Sequence, residues 1–207
     1  MNKITSNEII LLLNDIIKNP KPELDFNNNY ELLVAVVLSA QTTDKRVNIV
    51  SKDLFKKYPS FNELKDANNE ELINIIKPLG LANNKAKSLI ELSNQIVSDY
   101  NGIVPNNLND LTKLKGVGRK TANVVLALGF NIPAFPVDTH VERIAKRLGY
   151  AKFDDDIILV ENKLKKYIDK DKWILSHHLF LLFGRYHCKA INPMCIDCKL
   201  KKYCKKR

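Results

Sequence analysis

Residues 111–126 read LTKLKGVGRKTANVVL. Apolar residues at helical spacing come first, Gly116 and Gly118 interrupt them, and an apolar helix begins near Gly118. The pattern predicts two helices joined by a tight Gly-x-Gly hairpin. Glycines let the backbone approach another surface closely, and the following helix start offers unpaired amides and a positive dipole end. The hairpin is therefore a candidate phosphate-binding site, with an ordinary tight turn between helices as the alternative.

The rest of the chain shows the same helical periodicity. Only 7 glycines and 8 prolines occur, and they divide the 207 residues into short segments with apolar positions three or four residues apart. Segments of this kind predict about ten to twelve short helices and an all-α fold. Thr5 and Glu8 have capping-box spacing and predict the first helix start. Residues 129–136 and 19–22 are candidate domain boundaries.

The composition bounds the class of protein and its partner. Lys and Arg number 33 against 23 Asp and Glu, which gives a formal net charge of +10 and indicates a polyanionic partner, with nucleic acid foremost. The apolar share of 45% excludes a disordered chain. The longest apolar stretch, residues 32–40, is too short for a membrane span and suits a buried helix. Residues 9–13 are too short for a signal-peptide core, so we expect a cytoplasmic protein.

Lys120 is the unusual residue of the hairpin. It falls in the first turn of the predicted helix, where a cation opposes the helix dipole at a cost of a few tenths to about 1 kcal/mol. Together with Arg119 and the basic charge, it indicates contact with a DNA backbone. From the residues alone, a surface lysine that reaches a phosphate is the favoured interpretation, and a nucleophilic or Schiff-base lysine is the alternative.

Asp138 and His140 begin the next amphipathic segment, FPVDTHVERIAKRLG at residues 135–149. Aspartate is a favoured N-cap, so the segment predicts a helix that Asp138 caps. A histidine in a first turn is more often structural than catalytic. The residue types alone therefore assign a capping role to Asp138 and a structural role to His140.

All four cysteines lie in the last 20 residues, with the spacing C-x6-C-x2-C-x5-C. A disulfide framework of a small secreted domain would spread them over the chain, whereas this spacing lets four thiolates bind one metal centre. Tetrahedral zinc and an iron–sulfur cluster both fit, and a single C-x2-C, where zinc ribbons usually have two, favours the cluster. The basic residues nearby either contact phosphates or form a solvated tail: Lys199, Lys201, Lys202, Lys205, Lys206 and Arg207.

Three segments in order carry a family resemblance: LKGVGRKTANVVL, then VDTHVERIAKRLG, then GRYHC with the cysteines that follow. From about residue 30 to residue 204, their order and spacing resemble the endonuclease III family of base-excision DNA glycosylases. The resemblance implies two helical domains with a cleft between them. One would comprise residues 22–132, with six helices and a helix-hairpin-helix motif at residues 111–126. The other, residues 1–21 plus 133–207, would hold a [4Fe-4S] cluster on Cys188, Cys195, Cys198 and Cys204.

The resemblance also implies an activity. Lys120 would attack C1′ of the damaged nucleotide, release the base and form a Schiff base, after which β-elimination nicks the strand 3′ to the abasic site. Asp138 would assist proton transfer or stabilise positive charge on the sugar. The target base must leave the helical stack, and Gln41 and Leu81 match the family's gap-filling and wedge positions in the segments LSAQTTD and GLxxxKA.

The implied substrate is double-stranded DNA that contains oxidised pyrimidines or abasic sites. Contacts to this DNA are expected from Gly116, Gly118, Arg119 and His140. A monomer at the nucleoid is the simplest expectation. Two positions bear on which damaged base is preferred. Ala82 follows Gly-Leu where many relatives carry Tyr, and Phe183 precedes Gly-Arg where many carry His.

Two other functions compete with this one. A monofunctional adenine-mismatch glycosylase of the same superfamily has a catalytic Glu where this chain has Val36, and it lacks the lysine that Lys120 provides. A non-enzymatic DNA-binding or redox-sensing cluster protein would need neither Lys120 nor Asp138. The presence of both residues favours the glycosylase and lyase.

Overall fold

The computed structural model describes residues 1–205, in which all regular structure is helical and no strand occurs. The predicted all-α fold is confirmed. Lys206 and Arg207, and the phosphate contacts considered for them, lie outside the described residues. The chain forms two compact units, Met1–Lys21 with Pro133–Arg207, and Pro22–Ile132. None of the described helices has the length and apolar character that crossing a membrane requires.

Eleven α-helices follow one another along the described residues. They are α1 (Lys3–Ile16), α2 (Asn29–Leu38), α3 (Asp44–Lys57), α4 (Phe61–Lys65), α5 (Asn69–Ile76), α6 (Ala82–Tyr100), α7 (Leu108–Leu111), α8 (Arg119–Gly129), α9 (Thr139–Arg147), α10 (Ile157–Tyr167) and α11 (Trp173–Tyr186). Three short 3-10 helices occupy Lys77–Leu79, Lys170–Lys172 and Lys201–Tyr203.

The unit Pro22–Ile132 contains α2 to α8, which is seven α-helices where the sequence predicts six. One of the seven is the single turn α7. Its N-cap is Asn107, whose side chain accepts a hydrogen bond from the Asp110 amide at 2.9 Å. The apolar helix α2 is almost wholly buried in this unit. A Cβ on Gly129 would lie 2.4 Å from Asn29 Oδ1, so the absence of a side chain there allows the end of α8 to pack against the start of α2.

The other unit combines α1 with α9, α10 and α11 around one apolar core. Ser6 helps to hold α1 against the rest of this unit, because its hydroxyl lies 2.8 Å from the Tyr150 hydroxyl. The first helix begins earlier than Thr5 and Glu8 predict, since Asn2 is the N-cap and accepts from the Thr5 amide. Helices α9 and α11 approach closely at Gly184, where a Cβ would lie 3.2 Å from a backbone carbonyl oxygen of α9.

Candidate DNA-binding and catalytic site

The hairpin lies between the end of α7 at Leu111 and the start of α8 at Arg119. Its first helix is the turn Leu108–Leu111, so the motif starts three residues before the predicted residue 111. Gly116 has a φ of 76°, a conformation that glycine adopts at little cost. The Lys115 amide donates to Gln95 Oε1 at 2.7 Å, and Lys115 Nζ lies 3.3 Å from a Glu91 carboxylate oxygen. Two residues of α6 therefore hold the hairpin in place.

The start of α8 has no capping side chain. Gly118 occupies the N-cap with an extended backbone, φ −86°, which any residue adopts, and a Cβ there would meet no atom within 4 Å. The first turn contains no acidic residue and carries two exposed cations, Arg119 and Lys120. The Lys120 side chain makes no hydrogen bond or ion pair within residues 1–205. This helix end combines open amides with positive charge, which suits an anion.

Gln41 and Leu81 lie in exposed turns of the same unit, and both have left-handed backbones, with φ of 56° and 52°. The contacts of the hairpin involve the helices next to these turns. A Cβ on Gly116 would be 3.5 Å from Ser88 Cβ of α6 and 3.6 Å from Val37 Cγ1 of α2. Gln41 comes three residues after the end of α2, and Leu81 immediately precedes α6. The hairpin therefore packs against the two helices that these turns adjoin.

Asp138 caps α9, as the sequence predicts. Its Oδ1 accepts hydrogen bonds from the amides of His140 at 2.9 Å and Val141 at 2.8 Å. Within the described residues its Oδ2 accepts none, and the side chain is only partly buried. One carboxylate oxygen therefore holds the helix start while the other remains available for another partner.

His140 is held by its own helix. The Arg143 guanidinium lies 3.1 Å from His140 Nδ1 and donates to the Gly184 carbonyl at 2.7 Å. Arginine has only donors, so Nδ1 must accept, and a neutral His140 ring then carries its proton on Nε2. The contact supports the structural role that the residue type indicates and leaves Nε2–H as a donor.

The four cysteines come together after α11. Together with apolar side chains such as Leu148, Phe183 and Leu200, they line one small cavity whose walls include Cys188, Cys195, Cys198 and Cys204. Burial raises the pKa of the Cys198 thiol, and the other three cysteines raise that pKa further. Within residues 1–205, no three His, Cys, Asp or Glu side chains are arranged to hold a single metal ion. These thiols are nonetheless the residues of the chain that could ligate a larger centre.

Two arginines of α9 hold the start of the cysteine loop. Arg147, with 8% of its surface exposed, donates from Nη1 to the carbonyls of Lys189 at 2.8 Å and Cys188 at 3.2 Å. The same Nη1 is 3.2 Å from Cys188 Sγ, and Arg143 Nε donates to the Cys188 carbonyl at 3.3 Å. Neither arginine is identified from the sequence, because a basic residue near a helix C-terminus is what the dipole alone favours. Their i, i+4 spacing is the only available signal.

Comparison with known proteins identifies the family of this chain. The model of the HhH-GPD superfamily of base excision DNA repair proteins matches residues 34–170. Endonuclease III of Bacillus subtilis is 47% identical over 193 residues, covering 93% of this chain and 88% of that protein. Endonuclease III of Rickettsia conorii is 49% identical over 187 residues, covering 90% and 88%. The chain belongs to the endonuclease III family.

Solved structures of the family agree with this assignment. A non-covalent endonuclease III–DNA complex matches with a TM-score of 0.95 and 44% identity over 99% of this chain and 96% of its own. A trapped endonuclease III–DNA covalent intermediate matches to the same extent. As a family member, the chain is a base-excision DNA repair enzyme, a DNA glycosylase with AP lyase activity. The resemblance drawn from the sequence is confirmed.

Proposed function

We propose that this endonuclease III family member removes oxidised pyrimidines from double-stranded DNA and then cleaves the abasic strand, with Lys120 as the nucleophile. The observation that supports the proposal is the exposed, unpaired amine of Lys120 at an uncapped helix start. A lysine at this position costs stability, and the protein offers it no compensating partner within the described residues. A relative trapped covalently on DNA is consistent with an amine nucleophile.

The reaction follows from amine chemistry. The Lys120 amine forms a bond to C1′ of the damaged nucleotide while the N-glycosidic bond breaks, and the departing base takes up a proton. Opening of the sugar ring gives a Schiff base, which acidifies the C2′ protons. Loss of one such proton breaks the C3′–O bond and nicks the strand, and water then hydrolyses the Schiff base to regenerate the lysine.

Asp138 is the proposed catalytic partner. Its Oδ2 is available while Oδ1 caps α9. A carboxylate fixed in this way assists proton transfer or stabilises positive charge that develops on the sugar. Capping and catalysis are compatible because they use different oxygens of one side chain.

The hairpin and two turns would bind the DNA. The open amides at Gly116 and Gly118, with Arg119, suit backbone phosphates, and this contact would weaken steeply as salt rises. Gln41 would fill the gap left by the extruded base, and Leu81 would act as a wedge. His140 would donate from Nε2 to a phosphate, since Arg143 already occupies Nδ1.

The cysteine pocket supports a [4Fe-4S] cluster as the cofactor. Four thiols share one largely apolar cavity, and their spacing has a single C-x2-C where zinc ribbons usually have two, which favours a cluster over zinc. A bound cluster would supply structure to this loop and take no part in the reaction. Iron and acid-labile sulfide analysis of the purified protein should find about four of each per chain. Stoichiometric zinc without iron would contradict the proposal.

The main test is trapping with borohydride on a duplex that carries one thymine glycol. We expect a covalent protein–DNA adduct whose peptide map places the attached sugar on Lys120. Lys120→Gln should lose the adduct and the strand nick while retaining binding to the same duplex. Strand nicking at the full rate in this variant would overturn the Schiff-base assignment, and base release without an adduct would indicate the monofunctional class.

The setting of the reaction is also proposed. The enzyme would act as a monomer on chromosomal DNA in the cytoplasm, because its substrate is the damaged duplex itself. Gel filtration of the protein with and without an oligonucleotide duplex tests the stoichiometry, and a 2:1 protein–duplex complex on a single lesion would contradict it.

A further inference from the structure

The turn that presents Leu81 is strained. Gly80 has a φ of 71° and Leu81 a φ of 52° with ψ of 31°, the left-handed region that a leucine rarely adopts. Leu81 is 54% exposed, so no packing of its own side chain explains the conformation. No side chain caps the start of α6 at this point. Something else in the fold must hold the turn.

Lys85 supplies the contacts that hold it. Its amide donates to the Leu81 carbonyl at 3.0 Å, and its Nζ donates to the Leu79 carbonyl at 3.1 Å. These two bonds bracket Gly80, where the backbone changes direction. The amide bond is the ordinary first backbone bond of α6, so the side-chain bond to the Leu79 carbonyl is the one that depends on lysine.

Lys85 is placed unusually for a lysine. Only 5% of its surface is exposed, and within the described residues no carboxylate pairs with it. Burial lowers the pKa of its amine. Lysines are rarely buried without a partner, because desolvation of the charge is costly. Stability alone does not account for an amine whose sole hydrogen bond within residues 1–205 goes to a turn carbonyl.

We propose that Lys85 is a positioning residue that holds Leu81 in the conformation required to wedge the duplex. The inference rests on the proposed function, in which Leu81 is the wedge. Without the Nζ contact the Leu79 carbonyl loses its partner, and the turn relaxes toward ordinary backbone conformations. The wedge is then no longer preorganised, and extrusion of a stacked base becomes slower. An abasic nucleotide has no base to unstack and depends less on the wedge.

The experiment compares two substrates of one enzyme. Nicking rates are measured on a thymine glycol duplex and on the matching abasic duplex. Lys85→Met should lower the ratio of the first rate to the second by about 10-fold, the scale of one lost hydrogen bond. Lys57→Met removes a surface lysine of the same unit, paired with Glu71 at 2.6 Å, and should leave the ratio unchanged. An unchanged ratio in Lys85→Met would overturn the proposal.

A double-mutant cycle separates positioning from folding. Leu81→Gly removes both the wedge and the strain, so adding Lys85→Met to it should not lower the ratio further. Independent, additive effects would show a merely structural role. Melting curves accompany each variant, and if Lys85→Met unfolds, Lys85→Gln, which keeps a shorter amide donor, replaces it with an expected intermediate ratio. Should the wild type fail to nick thymine glycol DNA, the proposed function fails instead, and the two failures are distinguishable.

A second readout does not depend on chemistry. In the Lys120→Gln background, 2-aminopurine placed opposite the lesion reports unstacking when the protein binds. Adding Lys85→Met should reduce the fluorescence rise at saturating protein. An equal rise with and without Lys85 would contradict the positioning role.

Discussion

The starts of α8 and α9 carry the two candidate catalytic residues, and they are built in opposite ways. Helix α9 is closed by Asp138, whose Oδ1 accepts two amide hydrogen bonds, and Glu142 adds negative charge in its first turn. Helix α8 is left open by Gly118, with Arg119 and Lys120 where acidic residues are favoured. The first arrangement stabilises a helix. The arrangement at the start of α8 stabilises the helix only when an anion binds there.

The energetic difference between these helix starts is measurable. A capping side chain contributes about 1 kcal/mol, and each cation in a first turn costs roughly 0.3–1 kcal/mol. The buried face of α8, which includes Ala122 and Val125, offsets this by packing in its unit. An uncapped helix start with cations is therefore a sign of binding, whereas the capped start at Asp138 needs a further observation, its available Oδ2, to indicate function.

Among changes to the two helix caps, the largest expected effect comes from removing the charge of Asp138. Asp138→Asn keeps an N-cap of similar quality, so stability should change little. It removes the carboxylate charge, and we expect the rate of base release on thymine glycol DNA to fall about 10²- to 10³-fold. Single-turnover kinetics measure this rate, and binding of the duplex should persist.

Asp156 offers a matched control for that variant. It caps α10 in the same unit, with Oδ1 accepting from the Leu159 amide at 2.8 Å. Asp156→Asn makes the same chemical change at an N-cap outside the proposed site and should leave the rate unaltered. Equal rates for Asp138→Asn and the wild type would reduce Asp138 to a cap.

The next largest effect comes from adding a capping carboxylate at the start of α8. Gly118→Asp places a carboxylate where a Cβ meets no neighbour and where it would cap α8 by accepting hydrogen bonds from the first-turn amides. The same carboxylate would repel a phosphate at that point, so we expect DNA affinity to fall about 10-fold or more. Fluorescence anisotropy with an abasic-analogue duplex measures the dissociation constant.

The control for this variant carries the same charge change elsewhere. Asn68 caps α5 in the same unit and accepts from the amides of Glu70 and Glu71. Asn68→Asp lowers the net charge equally, so it reports the long-range electrostatic loss alone. If both variants weakened binding to the same extent, the hairpin would have no local contact with the DNA.

The contrast between the two helix starts also shows what can be predicted from sequence. Local rules give Lys120 only a phosphate contact and Asp138 only a cap, because such rules involve only neighbouring residues; their proposed catalytic roles come from the family resemblance. The hairpin bounds are less well predicted, since Asn107 starts α7 earlier than the apolar pattern indicates. The cysteine spacing likewise predicts a shared site, and the four thiols do line one cavity.

Residues that act through tertiary contacts escape such rules. Leucine at residue 81 gives no hint of a left-handed backbone, and lysine at residue 85 is expected to be exposed, yet the fold buries it. Arg147 looks like an ordinary C-terminal cation of α9, but its guanidinium contacts the cysteine loop. In each case the determining partner lies in another helix or turn, where periodicity and spacing carry no information.

The smallest effect tests whether the first-turn amides of α8 lack hydrogen-bond partners. Gly118→Ser and Gly118→Ala differ by one hydroxyl, and neither Cβ meets an atom within 4 Å in the extended backbone there. Serine can accept a hydrogen bond from a first-turn amide and alanine cannot, a difference of about 1 kcal/mol. In a protein of this size that corresponds to about 2–4 °C in Tm, measured by thermal unfolding without DNA. Identical melting temperatures would mean that the amides already have partners, and the helix start would then have no capacity left for a phosphate.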